Sequence, residues 1–216
     1  MTFSAKSEWI IPAGLIALSF VPVLAGNIRL IELGSEVQIT PGNARFFAAP
    51  LPIMLHIISV TIYSVLGAFQ FDNNFRSRKP NWHRTAGWIL VPLGLVVGLT
   101  GLWMTQFYPR GPNPPASFDG PYLYAIRLLV GSAMILFICL GVAAIIRRDI
   151  PNHRAWMMRS YALGLGAGTQ VLTHLPWFLF PSIQGELART LLMLAGWVIN
   201  LAVVEWILLH GCLKDL

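Results

Sequence analysis

Charge is scarce in this chain, and acid is scarcest. Nine Asp and Glu and fifteen Lys and Arg serve 216 residues, so charged residues make up 11% of the chain while hydrophobic ones make up 56%. No soluble domain of this length needs so much apolar surface, and most of the chain is expected in lipid. Acids this rare within the apolar stretches argue against a carboxylate metal cage and against a long proton relay. Cysteine is nearly absent: Cys139 lies inside an apolar run and Cys212 near the C-terminus. Two such residues give no disulfide framework, no Cys-based metal site and no Cys-x-x-Cys-His attachment for c-type haem. Cys139 reads as a small packing residue. Also missing are a nucleotide-binding glycine motif, a His-Glu-x-x-His and a serine nucleophile elbow. The net charge of +6 invites a nucleic-acid reading. The positives, however, cluster in short turns between apolar segments, as membrane topology requires, so no nucleic-acid partner is expected.

What is present is a series of six apolar segments, at about 9–25, 48–69, 85–107, 122–146, 155–180 and 187–210. Each is near the roughly 20 residues needed to cross a hydrocarbon core. They read as helices, because strands of a closed barrel would alternate polar and apolar residues. The first lacks a small-residue cleavage site and reads as a retained anchor rather than a signal peptide. The expected fold is all-α: one domain over 1–216, with six transmembrane helices in one bundle.

The loops set the orientation. Arg76, Arg78, Lys79 and Arg84 surround the second turn; Arg147, Arg148, Arg154 and Arg159 surround the fourth. The other connections hold fewer positives. The positive-inside rule places both basic turns in the cytoplasm, and both termini with them. The two turns also share a pattern, Pro-Asn-(Trp)-His-Arg at a helix start, which suggests two related helical hairpins with segments one and six outside them.

The stretch 147–176 organises the rest. It enters its apolar segment through His153 and Arg154 and reaches His174 just before Pro176. On one continuous helix those histidines would stand about 31 Å apart and roughly 60° around the axis. His56 lies a few residues inside segment two on the outer side, and His83 begins segment three on the inner side. Two histidines per leaflet, on different helices, is the arrangement that bis-imidazole haem ligation requires. For His83 and His153 the alternative is anchoring at the aqueous interface. For His56 and His174 it is hydrogen bonding within a bundle cavity, and intramembrane ionisable residues are costly and usually functional.

Arg84 and Arg154 sit in first turns, where cations oppose the helix dipole. A bound anion, either a haem propionate or a lipid phosphate, would reverse that penalty. Arg127, inside segment four, needs an anionic partner or a wet cavity: a propionate, a quinone-like head group or a nearby carboxylate. With Arg45 it would line an outer polar pocket beside His56 and His174; otherwise it snorkels. Asn200 and Glu205 mark segment six, and Glu205 is expected to pair with His153, Arg154 or Arg159. Gly94, Gly98 and Gly101, and Gly164, Gly166 and Gly168, let helices approach closely or make room for a flat macrocycle.

At His56, at Pro-Asn-Trp-His-Arg-x-x-Gly (80–87) and at Asn-His-Arg-Ala-Trp-Met-Met-Arg-Ser-Tyr (152–161), the chain resembles a bacterial membrane family. That family is known as domain of unknown function 2306. Ala-Gly-Thr-Gln-Val-Leu-Thr-His-Leu-Pro-Trp (167–177) and Gly-Trp-Val-Ile-Asn-Leu-Ala-Val-Val-Glu-Trp (196–206) extend the resemblance over most of the chain. It implies a polytopic membrane protein and carries no assigned activity. More distantly, the chain is similar to cytochrome b561-type electron carriers, which have six helices and haem-binding histidines on the central four. Segment four has no histidine, so His174 would take the missing role.

The first expectation is therefore a multi-pass protein of the bacterial inner membrane that carries b-type haem, a transmembrane oxidoreductase or electron carrier. It would exchange electrons with a quinone or a redox partner protein. His56 with His174 and His83 with His153 would ligate iron, and Arg45, Arg127, Arg84 and Arg154 would balance the propionates. Two alternatives stand beside it. One is a cofactor-free protein, transporter or receptor, binding a small molecule or lipid in the outer pocket. The other is an accessory subunit of an oligomer or larger membrane complex.

Overall fold

The computed structural model describes residues 9–71 and 77–212. Arg76 of the second turn lies outside them. The described residues are helical or irregular, and the all-α expectation holds. The helices are α1 (Ile10–Leu33), α2 (Ala44–Ala48), α3 (Pro50–Ala68), α4 (Pro80–Phe107), α5 (Pro121–Ile146), α6 (Ile150–Gly164), α7 (Gly166–Thr173), α8 (Leu175–Leu179) and α9 (Glu186–Cys212). Proline opens α3, α4 and α5, where its missing N–H removes no hydrogen bond. Asp149 caps α6, accepting from Asn152 N at 3.2 Å and Asn152 Nδ2 at 2.7 Å. Those bonds from Asn152 hold its carboxyl below the usual value. Pro22 and Pro92 sit inside α1 and α4, as the helices of membrane proteins tolerate.

Among the described residues, five helices are long and apolar enough to cross a membrane: α1, α3 with the short turn after it, α4, α5 and α9. The stretch expected as one continuous helix over 155–180 differs. It is three shorter helices, joined at Leu165 and at His174. Two causes are visible in the residues. Pro176 comes two residues after His174, and proline has no N–H to donate and does not fit behind the preceding turn. Gly164 and Gly166 flank Leu165 and weaken the helix there. The first helix is longer than expected and runs on through Asn27, Arg29 and Glu32. Arg29 and Glu32 pair one turn apart, and Asn27 Nδ2 donates back to Val23 O at 2.8 Å.

Helices α3, α4, α5 and α6 pack in sequence as the centre, with α1 against α3 and α7, and α9 against α6 and α7. The core is Tyr63, Leu90, Val97, Met134, Ile138, Tyr161, Leu163 and Leu165. Its two tyrosines are satisfied across helices. Tyr161 Oη donates to Ser64 O at 2.7 Å, and Tyr63 Oη meets Ser160 Oγ at 3.3 Å. Glycines set the spacing: Tyr161 lies on Gly67, Tyr63 on Gly94 and Gly164, and Trp197 on Gly166. A half-exposed ion pair also ties α6 to α9, with Arg159 Nε and Nη2 donating to Glu205 at 2.6 and 2.8 Å.

The three connections that precede α3, α5 and α9 gather at one end of the bundle. Tyr108 Oη donates to Ala49 O at 2.6 Å, Arg45 Nη1 to Pro109 O at 3.0 Å, and Arg189 Nε to Asp119 Oδ1 at 3.0 Å. The basic turn at 147–149 and the start of α4 lie at the opposite end, where Trp9, Phe69 and Trp82 stack edge to face.

Candidate functional site: a cavity under the gathered loops

Beneath those three connections a cavity of about 480 Å³ runs down between α1, α3, α4, α5 and the α6–α7 joint. Its volume falls in the range of about 300–1,000 Å³ usual for small-molecule sites. Arg45, Arg110, Asp119 and Arg127 stand at its mouth, and Val60, Val97, Val130, Met134 and Leu163 line its depth. The break in the fifth segment contributes directly, since Gly164, Leu165, Ala167, Gly168 and Gln170 all face the space. Irregular backbone at membrane depth is tolerated where it borders a cavity. Asn200 holds that joint. Its Nδ2 donates to Ala162 O at 3.0 Å and its Oδ1 accepts from Thr169 Oγ1 at 2.6 Å.

His56 lines the cavity part-way down. Its Nδ1 is 2.9 Å from Thr100 Oγ1, and Thr100 donates its own hydroxyl to Val96 O at 2.6 Å. With that proton spent, Thr100 accepts from His56 Nδ1–H, which leaves the imidazole lone pair on Nε2.

His174 is placed otherwise. It is buried and is absent from the cavity wall. Its Nε2 is 2.7 Å from Arg189 Nη1, and its Nδ1 is 2.7 Å from Gln170 O. A guanidinium only donates, so Nε2 accepts and Nδ1–H donates to the carbonyl. Both ring nitrogens are occupied. An axial imidazole must offer iron a nitrogen lone pair at about 2 Å, and the lone pair of His174 is held by Arg189. The side chains therefore do not present His56 and His174 as a facing pair for haem.

Arg127 has the carboxylate partner that sequence reasoning offered as one option. Its Nη1 is 2.8 Å from Asp119 Oδ2, and Asp119 also takes Arg189. The result is a chain of polar groups, Arg127–Asp119–Arg189–His174–Gln170, that begins and ends on the cavity wall. Asp119 and Arg189 were not among the expected site residues. Their only sequence signal is a lone acid in one short outer connection and a cation at the start of segment six, in an acid-poor chain. Glu186 is a further acid here, its carboxyl packed directly on Gly120.

The remaining expected residues lie away from the cavity. His83 and His153 are half-buried, and Arg84 and Arg154 are exposed. All four belong to the first turns of α4 and α6, at the opposite end. His153 Nδ1 is 2.8 Å from Gly141 O, which fixes the ring against α5. Among the described residues, no three or more His, Cys, Asp or Glu side chains converge as a metal site.

A family model described as "Predicted membrane protein (DUF2306)" matches residues 53–208. No curated protein and no solved structure matches the chain. The similarity to cytochrome b561-type carriers thus rests on the sequence pattern alone.

Proposed function

The chain belongs to the DUF2306 family of predicted membrane proteins, and on that premise we propose that it binds a small molecule or lipid in its central cavity. The observation that carries this reading is the cavity itself, charged at its mouth and mostly apolar below it. Such pockets are the default binding sites of helical bundles. The protein would be a receptor or transporter of the bacterial inner membrane. Helices α6, α7 and α8 together would complete a sixth crossing, with the mouth outside and both termini in the cytoplasm.

Gly101 offers the test. A Cβ added there would meet only the His56 ring, at 3.8 Å, so Gly101→Leu projects a side chain into the cavity without breaking the core. The variant is expected to keep its melting temperature and to lose binding of an apolar fluorophore. Retained binding sinks the reading.

A second reading, a b-type haem carrier exchanging electrons with a quinone or redox partner, keeps one point in its favour: the open Nε2 of His56 in the cavity. It needs another axial ligand, because His174 is engaged by Arg189. Reduced and oxidised visible spectra of protein from haem-replete cells decide between the two. Sharp α and β bands on reduction support the carrier, and a flat spectrum supports the cofactor-free pocket.

A further inference from the structure

We infer that the cavity takes a single-chain amphiphile with an anionic head, the head at Arg45 and Arg127 and the chain in the apolar depth. The inference rests on the cavity-binding reading above and specifies its ligand.

The mouth is short of anions. Arg45, Arg110, Arg127 and Arg189 are set there against Asp119 and Glu186. Asp119 is already shared, 2.8 Å from Arg127 and 3.0 Å from Arg189. Arg45 is the part-buried cation of the mouth that has no acid within ion-pair distance among the described residues. Its Nη1 donates to Pro109 O, and its guanidinium lies over the Phe46 ring at 4.6 Å from the centroid. Its Nε is buried without a hydrogen-bond partner among the described residues. A buried donor left unpaired is costly unless something else accepts from it. Burial holds this arginine below its usual value, and Arg127 and Arg29 push the same way while Asp119 opposes them. A phosphate or carboxylate oxygen at the mouth would satisfy Nε and offset the crowding of cations. Arginine forks suit both anions.

Below the mouth the wall changes character. Val60, Val97, Val130, Met134 and Leu163 are apolar, Gly101 carries no side chain into the space, and Ser19, Thr61, Ser64 and Gln170 are the polar exceptions. That is a channel for a flexible hydrocarbon. His56 stands beside it part-way down, its Nδ1 paired with Thr100.

The test uses the full chain in mild detergent and one apolar fluorophore displaced by matched competitors. Hexadecyl phosphate and hexadecanoate carry the head; hexadecanol has the same chain without charge; inorganic phosphate has the charge without the chain. At least one anionic amphiphile should compete on the order of ten- to a hundred-fold more tightly than hexadecanol, as charge-assisted hydrogen bonds predict. Whichever anion is tighter names the head group, phosphate or carboxylate. Arg45→Gln should erase most of that advantage and leave hexadecanol unchanged. Arg127→Gln should do the same, but it also releases Asp119, so Arg45→Gln is the deciding variant. Equal competition by hexadecanol, or no effect of Arg45→Gln, overturns the anionic head. Inorganic phosphate competing as well as hexadecyl phosphate overturns the chain. If the fluorophore itself does not bind, the cavity-binding reading fails, which is a different result from either.

Discussion

Asp119 carries more than its place in a short loop suggests. It is the shared acceptor for Arg127 and Arg189, and Arg189 in turn fixes the tautomer of His174. Asp119→Asn leaves two part-buried guanidinium groups facing each other and is expected to cost roughly 2–4 kcal/mol, somewhat under the figure for a fully buried pair. Arg110→Gln, at an exposed cation of the same mouth, should fall within about 0.5 kcal/mol. Thermal unfolding of both variants, side by side in one detergent, checks this; equal melting temperatures would count against the shared carboxylate. At this scale the sequence was partly legible. It marked Arg127 as needing an anionic partner or a wet cavity and Glu205 as pairing with His153, Arg154 or Arg159, and Asp119 and Arg159 are the carboxylate and the cation found there. It could not separate His56 from His174, because a histidine in an apolar run looks the same whether it lines a space or is bonded at both nitrogens.

The elements show where periodicity runs out. The stretch 155–180 is apolar enough to read as one helix, yet α6 ends at Gly164 and α7 at Thr173. The glycines of this region do different jobs that composition cannot distinguish. A Cβ on Gly168 would press into the backbone carbonyl of Leu18, whereas a Cβ on Gly87 would meet nothing within 4 Å. Gly168→Ala should therefore destabilise by about 1–3 kcal/mol, since backbone on α1 cannot swing aside. Gly87→Ala should be neutral or stabilising by about 0.5–1 kcal/mol, the ordinary helix preference. Denaturation of the two variants reads the difference in sign. If Gly168→Ala is also neutral, α1 does not pack against α7 as closely as described. Proline opens α3, α4 and α5 at Pro50, Pro80 and Pro121 by chemistry that needs no neighbour, whereas the apolar segments expected there began at 48, 85 and 122.

At the scale of the molecule, the gathered loops and the basic turns occupy opposite ends of the bundle, and the proposed six crossings place both termini beside the basic turns. Single cysteines in a background without Cys139 and Cys212 test that with an impermeant maleimide. Ser117→Cys should label on intact cells, while Arg148→Cys and Ser4→Cys should label only after permeabilisation. Labelling of Ser4→Cys from outside would mean an odd number of crossings between the N-terminus and Arg148. The sequence by itself determined that this is an all-helical membrane protein with basic turns at one end, because hydropathy and arginine clustering act locally and add along the chain. Only the tertiary structure decided which polar side chains share a space. His56, Arg45 and Arg127 line one cavity while His174 is sealed into a hydrogen-bond chain behind it. The reason is physical: a cavity and a shared carboxylate exist only between helices, and their partners lie as far apart in the chain as Asp119 and Arg189.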